Sequence, residues 1–344
     1  MSAIEVKNLS RNYGDIDAVK DVSFTVPEKS FTVLLGPSGC GKSTILKMLS
    51  GLEQVSHGTI NIGGSDVTEI EASKRGVSMV FQSYALFPHL NVKENIQFGL
   101  KVRKVPAEER EKKVKDAANV VGLTDLLDRK PANLSGGQRQ RVALARSIVS
   151  EQSVCLMDEP LSNLDSKLRA EMRDEIRDLQ KRLGLTVVYV THDQVEAMSM
   201  ADQIILLKLG EIVQVGAPEE IYNSPNSVFS AQFIGLPPMN VMKLNDIDIS
   251  TLDSKIKPAL ESSIIKNIGI RPEHLLFSKK GLPVTVKSID YFGGETVFKL
   301  THQEKDFFLR EPRQPKIQLG DKLFVSWNLD DMYLFDKNNQ RLKS

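Results

Sequence analysis

Near the start of the chain, Gly36-Pro37-Ser38-Gly39-Cys40-Gly41-Lys42-Ser43-Thr44 spaces glycines, a lysine and hydroxyls in a way suited to wrapping a phosphate chain. Glycines let backbone N–H groups crowd phosphate oxygens, and a helix N-terminus behind them adds favourable partial charge. Lys42 is placed to reach β- and γ-phosphates, and the Ser43 hydroxyl to reach Mg²⁺. Alone, this loop predicts only that a nucleoside triphosphate binds.

Hydrolysis needs more, and Val154-Cys155-Leu156-Met157-Asp158-Glu159 supplies it: an apolar strand ending in two acids. Asp158 can orient Mg²⁺ through its water shell, and Glu159 can polarise an attacking water. Adjacent strand residues point opposite ways, but where the chain turns at a strand end both can serve one site. Acids at a strand end are common; beside a phosphate loop they are informative. A second anion site is expected at Leu134-Ser135-Gly136-Gly137-Gln138, just before the helix expected over Arg139 to Val149. Its free amides and hydroxyl have no anion beside them in sequence.

These groups require a rigid frame. Ile4 to Leu9, Phe31 to Leu35, Val77 to Phe81, Val154 to Met157, Val187 to Val190 and Ile204 to Leu207 read as strands. Thr44 to Leu49 and Arg139 to Val149 read as helices, as does the Leu168, Met172, Ile176, Leu179, Leu183 series, with Arg173, Glu175 and Lys181 outward. Buried strands alternating with helices imply an α/β fold with a largely parallel sheet. Arg103 to Lys115 reads as a solvated helix and turn. From about Gly235 the texture changes. Short strands follow at Ile264 to Ile270, Val284 to Ile289, Thr296 to Leu300, Phe307 to Arg310, Lys322 to Trp327 and Met332 to Phe335, with turns at Gly293-Gly294, His302 to Lys305 and Gly320-Asp321. Two domains are therefore expected, residues 1–235 and a small all-β, OB-like unit over 236–344.

A net charge of +1 gives no field that would by itself imply nucleic acid. Two cysteines, Cys40 and Cys155, argue against a disulfide framework and suit a reducing compartment. Cys40, near Lys42 and a helix N-terminus, is expected to favour thiolate, and Cys155 on its apolar strand to be inert. No signal peptide is evident, and no apolar run approaches the roughly 20 residues that span a bilayer.

Leu134 to Gln138 with the phosphate loop resembles the ATP-binding cassette family, and residues from Ile4 to about Gly235 look like a complete transporter-type cassette with its helical subdomain. The resemblance implies ATP and Mg²⁺ as cofactors. It places Gln82 as the glutamine that touches Mg²⁺ and senses membrane subunits, and His192 in Thr191-His192-Asp193 as the switch histidine at the γ-phosphate. Ser162-Asn163-Leu164-Asp165 looks like the D-loop, with Asn163 where alanine is common. Tyr13 falls where an aromatic stacks on adenine. Ser135, Gly136, Gly137 and Gln138 would cap the γ-phosphate of a second copy, so that two chains close head to tail over two ATP molecules. The segment Tyr84 to Val92, with Leu86, Phe87 and Leu90, falls where such cassettes receive a permease helix.

Gln214 to Tyr222, Phe233-Ile234-Gly235, Met239-Asn240, Ile268 to His274, Phe292 to Thr296 and Leu334-Phe335-Asp336 resemble the junction and TOBE-type regulatory domain of maltose-type import ATPases, most loosely between Asp246 and Ile264. That implies a peripheral subunit on the cytoplasmic face of the inner membrane, working with two permease subunits and, indirectly, an extracytoplasmic solute-binding protein. A carbohydrate or a polyol phosphate such as sn-glycerol 3-phosphate is the expected solute. Import of a polyamine or ferric ion, or a non-transport role, stays open at this stage. Arg271, Glu273 and His274 read either as pins of a turn or as a regulatory surface.

Overall fold

The computed structural model describes residues 2–247, 260, 264–313 and 315–342. The loosest part of the resemblance, after Asp246, lies largely outside them. The chain divides into two compact units, Met1–Pro218 and Glu219–Ser344. This division falls before the expected boundary near Gly235 because the second unit holds the intervening segment. The Arg271 guanidinium donates to the carbonyls of Tyr222 (2.7 Å), Ala231 (3.0 Å) and Ile234 (2.5 Å).

In the first unit the strands are β1 (Ser2–Tyr13), β2 (Ile16–Pro27), β3 (Phe31–Leu35), β4 (His57–Ile62), β5 (Ser65–Asp66) and β6 (Val77–Val80), then β7 (Val154–Asp158), β8 (Thr186–Thr191), β9 (Gln203–Lys208) and β10 (Glu211–Gly216). One sheet has the order β10-β9-β3-β8-β7-β6, parallel throughout except for the β9–β10 hairpin. Its central strands β3 and β8 are buried at every position, which is why they read as continuous apolar runs. Leu34, Leu46, Leu156, Val188, Val190 and Ile205 share one core. The second sheet, β2-β1-β4-β5, is antiparallel.

Helix α1 (Lys42–Ser50) leaves β3 through the glycine-rich loop and packs into that core through Ile45, Leu46 and Leu49. A helical region follows, with α2 (Val92–Val102), α3 (Ala107–Val120) and α4 (Gly136–Ile148). Asn91 and Glu94 form a reciprocal cap at the start of α2. Helix α5 (Ser166–Leu183) buries Met172, Ile176 and Leu179 of the expected series, leaves Leu168 half-buried and Leu183 exposed at its last turn, and ends on Gly184 at φ 63°. Helix α6 (Gln194–Met200) starts two residues after β8, with Asp193 as its N-cap.

In the second unit, β13 (Leu276–Ser278), β14 (Leu282–Tyr291), β15 (Thr296–His302), β16 (Lys305–Glu311) and β17 (Lys322–Ser326) form an antiparallel sheet in the order β13-β17-β14-β15-β16. A three-stranded sheet, β11-β12-β18, is made by β11 (Asn240–Lys243), β12 (Asn267–Ile270) and β18 (Met332–Phe335). Ile268, Phe298, Leu300, Leu309, Val325 and Trp327 fill the shared core. The small all-β architecture agrees with an OB-like fold. Arg271 is fully buried and its guanidinium stacks on Tyr222, 4.0 Å from the ring centroid.

Candidate active site

Gly36, Gly39 and Gly41 have φ of 155°, 78° and 101°. A Cβ on Gly36 would lie 2.7 Å from Cys40 Sγ and closer still to the Leu207 carbonyl; one on Gly41 would lie 2.6 Å from the Ala18 carbonyl. The loop therefore needs glycine for space as well as for backbone freedom. Gly41 sits before α1 with no side-chain cap, so the first amides of α1 keep their donors for a ligand. Pro37 is half-buried and Ser38 and Gly39 are exposed, while Thr44 lies in the first turn of α1. Lys42 is buried, its ammonium donating to the carbonyls of Gly36 and Pro37 at 2.8 Å each. In this state the cation is folded onto the loop's own backbone.

Two strands across, Asp158 ends β7 and its Oδ1 accepts from Ser43 Oγ at 2.8 Å. Glu159 has φ 43°, and its amide donates to the Val190 carbonyl at 3.1 Å. This left-handed step turns the chain at the strand end, which lets the neighbouring acids serve one site. Glu159 Oε1 lies 3.2 Å from Nδ1 of the exposed His192, which follows β8 directly. A hydroxyl and a carboxylate at 2.8 Å offer hard oxygen donors that suit Mg²⁺. Among the described residues no cluster of three or more His, Cys, Asp or Glu could hold a metal alone. The pair fits an ion completed by water and phosphate oxygens.

Gln82 is exposed and donates from Nε2 to Ser162 Oγ at 3.3 Å, while Asn163 Nδ2 donates to the Gln82 carbonyl at 2.9 Å. Ser162 in turn donates to the Glu159 carbonyl at 2.9 Å. Gln82 is thus tied to the turn after Glu159; no bond joins it to Ser43 or Asp158 in this state. Asp165 is the N-cap of α5, accepting from the Leu168 amide at 3.0 Å.

Helix α4 begins at Gly136, earlier than the expected Arg139, because Ser135 and Gln138 form a reciprocal cap (3.3 and 2.9 Å). Cβ atoms on Gly136 and Gly137 would lie 2.9 Å from Leu164 Cδ2 and 3.1 Å from Leu168 Cδ1. Apart from the phosphate loop and the strand-end acids, then, Ser135 to Gly137 packs beside the turn that carries Asp165. Tyr13 ends β1, about half exposed; its hydroxyl donates to Glu53 Oε2 at 2.6 Å, and that bond raises its pKa. The Arg11 guanidinium lies 4.4 Å from the centre of the ring and 2.7 Å from Glu53. Sequence reasoning missed Arg11 and Glu53. Arg11 could have been found, since residues two apart on a strand share a face; Glu53 comes from beyond α1, and nothing local flags it.

The expectation of a thiolate at Cys40 is corrected. Its side chain is buried, and burial pushes the thiol up in pKa; the charge of Lys42 opposes this without overcoming it. Proximity to a lysine was legible, and desolvation was not. Maleimide labelling of Cys40 should therefore wait on loop opening. It is expected to be far slower than in the urea-unfolded chain and slower again with ATP. Equal rates, followed by mass spectrometry, would show the thiol to be accessible.

A family model described as "ABC transporter" matches residues 19–162, and one described as "TOBE domain" matches residues 268–335. The maltose/maltodextrin import ATP-binding protein MalK of Vibrio vulnificus is 42% identical, covering 100% of this chain and 97% of its own. The sn-glycerol-3-phosphate import ATP-binding protein UgpC of Rhodopseudomonas palustris is 42% identical, covering 99% of each chain. A solved structure of cbiO1 from Clostridium perfringens, part of the ABC transporter complex cbiONQ, has TM-score 0.59 and 30% identity, over 64% of this chain and 90% of that one. The chain belongs to the ABC transporter family, as a nucleotide-binding cassette followed by a TOBE domain. Within that family it is similar over its full length to ATP-binding proteins of import systems.

Proposed function

We propose that the chain hydrolyses ATP on the cytoplasmic face of the inner membrane. The reaction drives import of a carbohydrate or a polyol phosphate such as sn-glycerol 3-phosphate through two permease subunits fed by a solute-binding protein. The observation that carries this reading is the convergence of Lys42, Ser43, Asp158, Glu159 and His192 at the carboxyl end of one parallel sheet. The full-length relatives named for maltose and glycerol-phosphate import give the solute class. No helix among the described residues is long and apolar enough to cross a membrane.

ATP stacks its base on Tyr13 and lays its phosphates along residues 36–44. Lys42 exchanges the carbonyls of Gly36 and Pro37 for β- and γ-phosphate oxygens. Ser43, Asp158 and Gln82 would hold Mg²⁺, which supplies neutralising charge on the phosphates. Glu159 takes up the proton of the attacking water as the water oxygen bonds to the γ-phosphorus and the bond to the β–γ bridging oxygen breaks, leaving ADP and phosphate. His192 steadies that carboxylate from one side and contacts the γ-phosphate from the other. Ser135, Gly136, Gly137 and Gln138 close over the γ-phosphate of a second copy, docked head to tail with Asp165 near the seam. Positioning and charge carry the chemistry, as suits phosphoryl transfer to water.

Coupling runs beside Gln82. A cavity of about 450 Å³ lies elsewhere in the cassette, between α3 and the Leu183–Leu185 turn, whereas one of about 350 Å³ is lined by Ser83, Tyr84, Leu86, Pro131, Arg139 and Asn163. The smaller one touches the γ-phosphate machinery through Asn163 and suits a permease helix. Its floor is firm. The fully buried Asn95 donates to the carbonyls of Phe87, Leu90 and Asn91, and Arg146 donates to the Ala85 carbonyl at 2.6 Å.

Reconstitution with permease pairs in proteoliposomes tests the proposal. Turnover should rise on adding a loaded solute-binding protein of the sugar or glycerol-phosphate type. Leu86→Asp should abolish that rise and transport while leaving basal turnover of the isolated subunit within about twofold. Equal loss of both would make Leu86 ordinary core. Stimulation only by polyamine or ferric-ion systems would overturn the solute class, and no stimulation by any permease would favour a non-transport role.

A further inference from the structure

The hydrolytic pair Glu159 and His192 stands on two loops, and one side chain outside both joins their supports. Arg169, in the first turn of α5, donates from Nη2 to the Leu164 carbonyl at 3.1 Å and from Nη1 to Asp193 Oδ2 at 3.4 Å. Leu164 belongs to the turn that begins at Glu159, where Ser162 and Leu164 donate their amides to the carbonyls of Glu159 and Leu161. Asp193 follows His192 and caps α6, accepting from the amides of Val195 and Glu196. One guanidinium therefore bridges the turn after Glu159 and the segment that carries His192.

A buried carboxylate backs this bridge. Glu196 is almost wholly buried and accepts from Tyr189 Oη at 2.9 Å and Thr191 Oγ1 at 2.7 Å. Thr191 Oγ1 also accepts from the Asp193 amide at 3.0 Å. The residues on both sides of His192 are thus held by one network. Arg169 Nε is buried without a hydrogen-bond partner, and Glu196 Oε1 is its nearby counter-charge at 4.0 Å. Burial raises the pKa of Glu196, and the cation opposes that rise. An arginine fork can serve two acceptors at fixed angles, which a lysine cannot do.

We infer that Arg169 is a positioning residue for ATP hydrolysis: by bridging the Leu164 carbonyl and Asp193 against buried Glu196, it sets His192 relative to Glu159. The inference rests on the function proposed above. Arg169 bonds to the supports of Glu159 and His192 and to neither side chain itself, so its effect reaches the chemistry through the placement of His192 against Glu159. Loss of that placement should slow turnover without weakening ATP binding.

The test is a double-mutant cycle on the full-length protein, with single-turnover measurements to keep slow variants readable. Arg169→Lys keeps the charge near Glu196 but not the fork. It is expected to lower kcat about tenfold with KM for ATP within about twofold, and to move Tm by less than about 3 °C. In a His192→Ala background the same change should cost less than about twofold, because no imidazole remains to be placed. Glu196→Gln, which keeps acceptance from Tyr189 and Thr191, should give the same split and is the alternative if Arg169→Lys does not fold. An equal loss of kcat in both backgrounds, a rise in KM matching the loss, or wild-type kcat in the variant that folds would overturn the inference. A wild-type protein without ATP turnover would instead remove the functional proposal beneath it.

Discussion

Glu159→Gln is expected to lower ATP turnover by about a thousandfold while ATP still binds, within the range for losing a general base. The carboxylate oxygen 3.2 Å from His192 Nδ1 is the acceptor available to an attacking water, and no phosphate-loop residue depends on it. Its neighbour Asp158 keeps Ser43, so the proposed ion site survives the change. Glutamine preserves shape and can still bond to His192, but it cannot take up a proton. Hydrolysis should stall after ATP has closed two copies together. Gel filtration with ATP and Mg²⁺ should then show a dimer that wild type passes through only briefly. Wild-type turnover in this variant would sink the assignment of Glu159.

Lys42→Ala should remove binding instead. Its ammonium is buried and held by two carbonyls, a poor substitute for the anionic oxygens it is placed to meet. Charge-assisted bonds of this kind contribute roughly 1.5–3 kcal/mol each, so losing them should weaken ATP affinity a hundredfold or more, at about 1.4 kcal/mol per tenfold. Ligand at a thousandfold over Kd stabilises a fold by about 4 kcal/mol, and at tenfold by about 1.4 kcal/mol. At about 2–4 °C per kcal/mol for a unit of this size, the ATP-induced rise in Tm should shrink from roughly 8–16 °C to a few degrees. The nucleotide-free Tm should barely move, since the charge removed is a desolvated one. Thermal scans with and without ATP check this. A full ATP-induced shift in Lys42→Ala would remove Lys42 from the phosphate site.

Strands β3, β7, β8 and β9 were legible because strands buried on both faces leave unbroken apolar runs. Of the antiparallel sheet, only part of β1 was read. In β2 the alternation of Val22, Phe24 and Val26 with exposed neighbours is a readable strand signal that the sequence reading passed over, whereas the first half of β2, where pairing with β1 slips register, carries no clean period. In the second unit β13 is only three residues long, and β11 begins on Asn240 and ends on Lys243, so neither presents the apolar run that marked β18 at the same length as β11. The start of α4 could have been placed: Ser135 and Gln138 spell a capping box, but two glycines between them argued for loop. Lys42, Asp158 and Glu159 were legible as candidates because the chemistry proposed for them is local to a motif. Arg169 and Glu196 were not, because what marks them is who they reach across the fold, and the same holds for Arg271 and the earlier division of the chain.

The register of the parallel sheet also governs where the gene can change length. Leu35 pairs with Thr191 and Asp158 with Val190, so the phosphate loop, His192 and Glu159 leave neighbouring strands at nearly one height. Deleting a single codon within β8 would draw His192 back by about 3.3 Å and turn its side chain to the opposite face. The exposed turn between α2 and α3, around Lys104, has no such neighbours to stay level with. Insertions and deletions that natural drift or an engineer introduces should therefore be purged from three short strands and accumulate freely in that turn, in a pattern set by the sheet's fixed spacing and by no demand of the nucleotide itself.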